Sequence, residues 1–175
     1  FFRRLDVLET APTIGSLFGS EQVTFILPAN EEKISRADWR ALAEAFGAGL
    51  DTQIVAADAV DTLPEDRDVW IIGRDNPWVA SLNTAATDYG LVLNSQGLKF
   101  NEAMLGLVEY SNRSSVATVR HPVDSSLTLG FIHIDNVEAV SGMIEKLPHY
   151  GKYSYLSFEG EEPVNDIKGT LSLIH

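Results

Sequence analysis

The sequence has no cysteine, which excludes disulfides, thiolate metal sites and cysteine nucleophiles. Bases are scarce. The 13 Lys+Arg against 25 Asp+Glu leave a formal net charge of −12. Nucleic acid is not an expected partner, because phosphates demand a basic footprint. An anionic membrane surface is disfavoured for the same reason. No apolar run approaches the roughly 20 residues that span a bilayer, so direct membrane insertion is not expected. The first residues carry no signal-peptide pattern. Repeats and low-complexity segments are missing too, and the acidic residues are spread along the chain as a solvated surface.

What is present is the composition of a globular protein, with 45% hydrophobic residues in 175. A chain of this length buries roughly 70% of its unfolded surface and needs no metal or disulfide staple. The sequence opens on Phe1-Phe2-Arg3-Arg4 without an initiator methionine, and is expected to be a processed chain or a domain cut from a longer protein. Residues 1–20, punctuated by Pro12, Gly15 and Gly19, are expected to form a linker or packing arm. A single α/β domain is expected over 21–160, and a polar tail or linker over 161–175.

Short apolar runs at Val23–Leu27, Thr52–Ala56 and Val69–Gly73 predict buried strands. The third is continuous enough for a central parallel position. Ser35 with Asp38 marks a helix start, Trp39, Leu42, Ala43 and Phe46 follow at helical spacing, and Gly47 ends it. Asn76-Pro77 predicts a cap and a helix over 77–86. Leu91–Leu93 and Leu98–Phe100 around a four-residue loop predict a β-hairpin. Residues 101–115 give no clear pattern. Val116–Arg120 and Leu127–Ile134 predict two strands, Asp135 with Glu138 a capping box, and Val137, Val140, Met143, Ile144 and Leu147 an apolar helix stripe stopped by Pro148. Tyr153–Phe158 predicts a last strand. Alternating strands and helices point to an open, mostly parallel α/β sheet flanked by helices in Rossmann-like or flavodoxin-like layering, with the hairpin added.

Motifs for chemistry are few. The histidines His121, His133, His149 and His175 form no H-E-x-x-H. A site assembled in space from His121, His133 and Asp135 stays open beside the plainer reading, in which His133 sits in a strand and bonds to backbone. Gly15-Ser16-Leu17-Phe18-Gly19 does not fit a nucleophile elbow, and no phosphate-binding glycine motif occurs. Gly73-Arg74-Asp75-Asn76 links a strand to a helix start, where an anion or a simple turn both fit. Glu31-Glu32 and Glu161-Glu162 read as loop charges, and Asn112-Arg113-Ser114 matches an N-glycosylation acceptor. In an open α/β sheet ligands sit beyond the carboxyl ends of the strands, which nominates Asn30, Arg74, Asn76, His121, Asp135 and Asn136.

The stretch Lys146-Leu147-Pro148-His149-Tyr150-Gly151-Lys152-Tyr153-Ser154-Tyr155-Leu156-Ser157-Phe158-Glu159-Gly160, continued through Lys168-Gly169, resembles a segment of large bacterial exported metallopeptidases. These are membrane-alanine-aminopeptidase-like zinc enzymes, some fused to a di-zinc aminopeptidase domain. The likeness is strongest over 146–169 and extends weakly back through His121-Pro122 and Leu129–Asn136, about a third of the chain. Gly169–His175 departs from the Trp- and Pro-containing continuation of that family. The resemblance implies a non-catalytic accessory domain that positions the catalytic domain, helps it to form a homo-oligomer or shapes substrate access. Its partner would be the catalytic domain of the same polypeptide, with zinc held there and no cofactor in this chain. A periplasmic or extracellular location is implied as well. No position matches the family's zinc ligands or general base, so no catalytic or metal residue carries over. His149, Tyr150 and Tyr153 remain as a structural corner or an aromatic docking rim, with Gly151 expected at a tight turn or a positive φ. The alternative function is a small-ligand module with its pocket at the strand ends.

Overall fold

The computed structural model describes residues 10–29, 33–101 and 105–174. Asn30, Glu31-Glu32, the N-terminal Phe1–Arg4 and His175 lie outside them. Ten strands and four α-helices follow in chain order among the described residues. They are α1 (Ile14–Phe18), β1 (Gln22–Leu27), α2 (Arg36–Phe46), β2 (Asp51–Ala56), β3 (Asp68–Ile72), α3 (Val79–Thr87), β4 (Leu91–Leu93), β5 (Gly97–Phe100), β6 (Leu107–Glu109), β7 (Arg113–Arg120), β8 (Thr128–Ile134), α4 (Val140–Lys146), β9 (Tyr155–Glu159) and β10 (Val164–Gly169).

Seven strands form one sheet in the order β10-β9-β7-β8-β3-β1-β2. β2, β1, β3 and β8 are mutually parallel, while β7, β9 and β10 join antiparallel. The sheet is thus mostly parallel in strand direction, with an antiparallel flank. The connection from β7 to β8 dictates that flank. A parallel crossover takes a dozen residues or more, and only the short loop after Arg120 is available, so the chain must turn straight back. The predicted hairpin forms, but it belongs to a separate three-stranded antiparallel sheet, β4-β5-β6. Its third strand comes from the stretch without a clear pattern.

Alternation along the strands sorts the core into two clusters. Phe25, Trp70, Ile132 and Leu156 meet α1, α2 and α4 on one face. Ile26, Ile71, Phe131 and Val119 meet α3 and the small sheet on the other. Trp70 is the hub of the first cluster. Its ring stacks on Phe25 at 6.5 Å and lies 5.8 Å from Phe46. Gly130 of the neighbouring β8 makes the room, since a Cβ there would stand 2.9 Å from the Trp70 ring.

Several local expectations are corrected. The polar stretch read as a tail contains β10, which pairs with β9 at the sheet edge. Arg113 reaches across to hold it, with both terminal guanidinium nitrogens donating to the Asp166 carboxylate at 2.7 Å. That bidentate bond holds Asp166 below the usual carboxylate range. Beyond the strand, Leu171 is buried, and its N–H donates to Ser154 Oγ at 2.5 Å. In the first segment Ile14 and Leu17 are core residues on α1.

Asp135 does not make the capping box with Glu138. Asn136 stands at the start of a 3-10 turn over Val137–Ala139, and the Asp135 carboxylate is used elsewhere. Gly151 has φ −62°, so no positive φ is needed. Its role is close approach: Gly15 N–H donates to Gly151 O at 2.8 Å, and a Cβ on Gly15 would strike that carbonyl. Ser35 caps α2 as expected, its Oγ accepting from Asp38 N–H at 3.1 Å.

Candidate functional site

The strand order reverses at β1, which has β2 on one side and β3 on the other, and in open α/β sheets such a switch opens a crevice beyond the carboxyl ends. A hollow of about 30 Å³ lies there, lined by Pro28, Lys33, Trp39, Arg74, His133 and Asp135 among others. That volume suits an ordered water or one hydroxyl group, not a metabolite.

The sequence candidates fall in three places. Arg74, Asn76, His133 and Asp135 gather at this edge. His121 lies at the opposite edge, because β7 runs against β8: Thr128 at the start of β8 pairs with Arg120, whereas His133 is near its end. A site built from His121, His133 and Asp135 is therefore ruled out by strand direction. His149, Tyr150 and Tyr153 sit at the turn between α4 and β9. Among the described residues, no group of three or more His, Asp or Glu side chains is placed to hold a metal ion.

Asn76 is buried and is not the helix cap that the sequence predicts. Its amide nitrogen donates to Ile26 O and Ile72 O, both at 3.0 Å, and its Oδ1 accepts from Trp78 N–H at 3.0 Å. One side chain thus clasps the ends of β1 and β3 and starts the turn into α3. His121 is equally committed. Its Nδ1 accepts from Val123 N–H at 3.1 Å, so the ring proton is on Nε2, which meets Pro64 O at 2.5 Å. It staples the β7–β8 loop to the acidic loop before β3. Replacing His121 by alanine strands both partners, and we expect a loss of about 2 kcal/mol in urea unfolding. A change below a few tenths would show that the staple carries nothing.

His133 differs from both. Arg74 N–H donates to its Nδ1 at 3.2 Å, which again places the proton on Nε2. That Nε2 is buried and has no hydrogen-bond partner among the described residues. Asp135 Oδ1 stands 3.9 Å away. The rings of Tyr110 and Trp39 lie 5.1 and 6.5 Å from the imidazole. Burial, aided by the Arg74 charge, pushes the imidazole down to about 4, against the pull of Asp135. Asp135 itself is buried. Burial works to raise its carboxyl, but Asn112 N–H at 2.7 Å and Lys33 Nζ at 3.0 Å outweigh that and hold it below the usual range. Burial also raises the Tyr110 phenol, whose hydroxyl has no partner among the described residues.

A sign follows for pH. The folded state disfavours the His133 imidazolium, so the unfolded chain takes up the proton first as pH falls. Stability present above about pH 6.5 is lost progressively down to about pH 4, by roughly 3 kcal/mol. Asp135 and Asp166 act lower, below the ordinary carboxylate value. We expect His133→Gln to flatten the upper window and leave the lower one. An unchanged profile would contradict the burial of a neutral ring.

At the third place, Tyr150 and Tyr153 pack partly buried against the first core, and Tyr150 meets Phe158 edge-on at 5.1 Å. Lys152 and Lys168 lie over the Tyr153 ring at 5.4 and 5.6 Å. His149 borders an open groove with Lys146 and Val164. Sequence reasoning missed Lys33, Trp39 and Tyr110 as neighbours of His133. Trp39 was legible only as core, and Tyr110 lies in the stretch without a pattern.

No family model matches this chain, and no curated protein matches it.

Proposed function

We infer that the chain is a non-catalytic accessory domain of a larger exported zinc aminopeptidase, in which it positions the catalytic domain, supports oligomerisation or shapes substrate access. One observation carries the non-catalytic part. The buried polar side chains Asn76 and His121 have their hydrogen-bonding groups spent on backbone partners that join strands and loops. Groups held in this way build a scaffold, and their N–H donors are committed to the backbone. The link to peptidases rests on the resemblance over 146–169. In the fold that segment forms the corner from α4 into β9 and the β9–β10 edge, with Val164 exposed beside His149. Two faces covered by α1, α2 and α4 and by α3 with the small sheet favour the Rossmann-like layering.

Two measurements test this. The gene on both sides of the segment is expected to encode, in frame, an H-E-x-x-H with a downstream Glu or a di-zinc peptidase motif. Start and stop codons flanking 1–175 would overturn the link. The purified chain, supplied with zinc, is expected to release no product from aminoacyl anilides. Turnover that survives repurification would overturn the non-catalytic part.

A further inference from the structure

We propose that the outer edge of β2 takes up an extended, basic peptide segment as a further strand of the large sheet. The first ground is that this edge is open. β2 stands last in the strand order and pairs only with β1 among the described residues. Asp51 N–H donates to Glu21 O at 3.1 Å, so Asp51, Gln53 and Val55 turn their backbone groups toward β1. Thr52 and Ile54 turn N–H and C=O outward, and Ala56 its N–H. No described residue bonds to these groups. The strand is 6 residues long, about 20 Å, which is the length of an ordinary partner strand.

Second, the two ends of the sheet are treated differently. Natural sheets blunt their exposed edges with bulges, lysines and covering groups. β10 has all three. Its register shifts between Asn165 and Ile167, Lys168 lies on the strand, and the Asn165 amide donates to Ser157 O and Ile167 O. β2 runs in unbroken register with β1, and Asp51–Ala56 holds no Lys, Arg or Pro. Ile54 and Val55 are half-buried, one against each core, and a strand laid alongside would cover more of both.

Third, charge selects the occupant. The loop from β2 to β3 carries exposed Asp58, Asp61, Glu65 and Asp66. Its base, Arg67, is buried and spent on Val23 O, Asp51 O and the Asp51 carboxylate. On the other face α2 is balanced, with Arg36 and Arg40 against Asp38 and Glu44, and Arg40 is paired to Glu44 at 3.3 Å. In the loop between β1 and α2, Glu31 and Glu32 lie outside the described residues and add no base, while Lys33 is held by Asp135. A second copy would bring the same acids to the same edge on a chain of net charge −12, so like charges oppose self-pairing. A segment with lysines or arginines at alternate positions is drawn to those acids while its backbone completes the ladder. The edge exists whether or not the chain belongs to a peptidase, so neither reading depends on the other.

The test is NMR of the full chain with its backbone amides labelled, titrated with a capped heptapeptide of alternating lysine and valine. We expect saturable shifts at the Thr52, Ile54 and Ala56 amides, at affinities of order millimolar. The same peptide with glutamate for lysine should bind about tenfold more weakly. So should the lysine peptide to a protein carrying Asp58→Lys and Asp61→Lys, two exposed loop positions. Two further lysine peptides are N-methylated at alternate residues, one on its valines and one on its lysines. At least one of them should lose binding, because one of those sets bonds to β2. Silence from the lysine peptide would overturn the proposal. Shifts confined to the acidic loop, or full binding by both methylated peptides, would overturn strand addition in favour of charge attraction alone. Equal binding of the glutamate peptide, or undiminished binding by the Asp58→Lys, Asp61→Lys protein, would overturn the ligand class. Shifts at the same amides on raising the protein concentration alone, with a doubled mass in sedimentation, would replace the peptide by a second copy.

Discussion

Replacing Asn76 by alanine is expected to destabilise the fold by about 3 kcal/mol, a large share of a typical domain's margin. The amide nitrogen of Asn76 is the shared donor to Ile26 O and Ile72 O, and its Oδ1 receives Trp78 N–H. The site is buried, so water cannot replace these partners without opening the ends of β1 and β3. Asn76→Asp is expected to be worse near neutral pH, because an ionised oxygen would then face two carbonyl oxygens. Its deficit should shrink as pH falls, when a protonated carboxyl regains a donor. Urea unfolding of both variants checks this. A loss under 1 kcal/mol in Asn76→Ala would remove the clasp as a structural device.

The second large effect is expected at Trp70. Truncation to alanine removes the ring on which Phe25 and Phe46 pack, in the strand between β1 and β8. Neighbouring backbone cannot collapse into the space, because β3 is held by hydrogen-bonded strands on both sides. We expect about 4 kcal/mol of lost stability, from the lost transfer of the ring plus the cavity left behind. A loss below about 1.5 kcal/mol would mean that the first core repacks freely, contrary to the dense packing of protein interiors.

Much of the parallel half was legible in the sequence. Continuous apolar runs identify β1 and β3, and Ser35 with Asp38 marks the start of α2, because these signals are local. The antiparallel flank was legible only in part. The length of the loop after Arg120 excludes a crossover, and that arithmetic was available from the residues alone. β10 was not visible, since Val164–Gly169 is a polar edge strand whose partners are supplied by β9 and by Arg113. β6 is three residues long, too short to show a period.

The candidate site divides in the same way. The rule about strand ends gathered Arg74, Asn76 and Asp135 correctly in space. It misplaced His121, because the rule holds only for strands that run in the common direction and β7 does not. What separates Asn76 from His133 is invisible in sequence. Both are polar residues near strand ends, and only tertiary hydrogen bonding leaves one satisfied and the other with an N–H that no described residue accepts. Lys33 came from a loop with no motif, yet it neutralises the buried Asp135.

The state of the His133 ring is the centre of this account, since the pH response depends on it. The most direct measurement is the nitrogen spectrum of the histidine rings across a pH titration. At neutral pH His133 is predicted to carry its proton on Nε2 with Nδ1 unprotonated, and to titrate with a midpoint near 4. A midpoint near the ordinary value of about 6.5, or a proton on Nδ1, would contradict it.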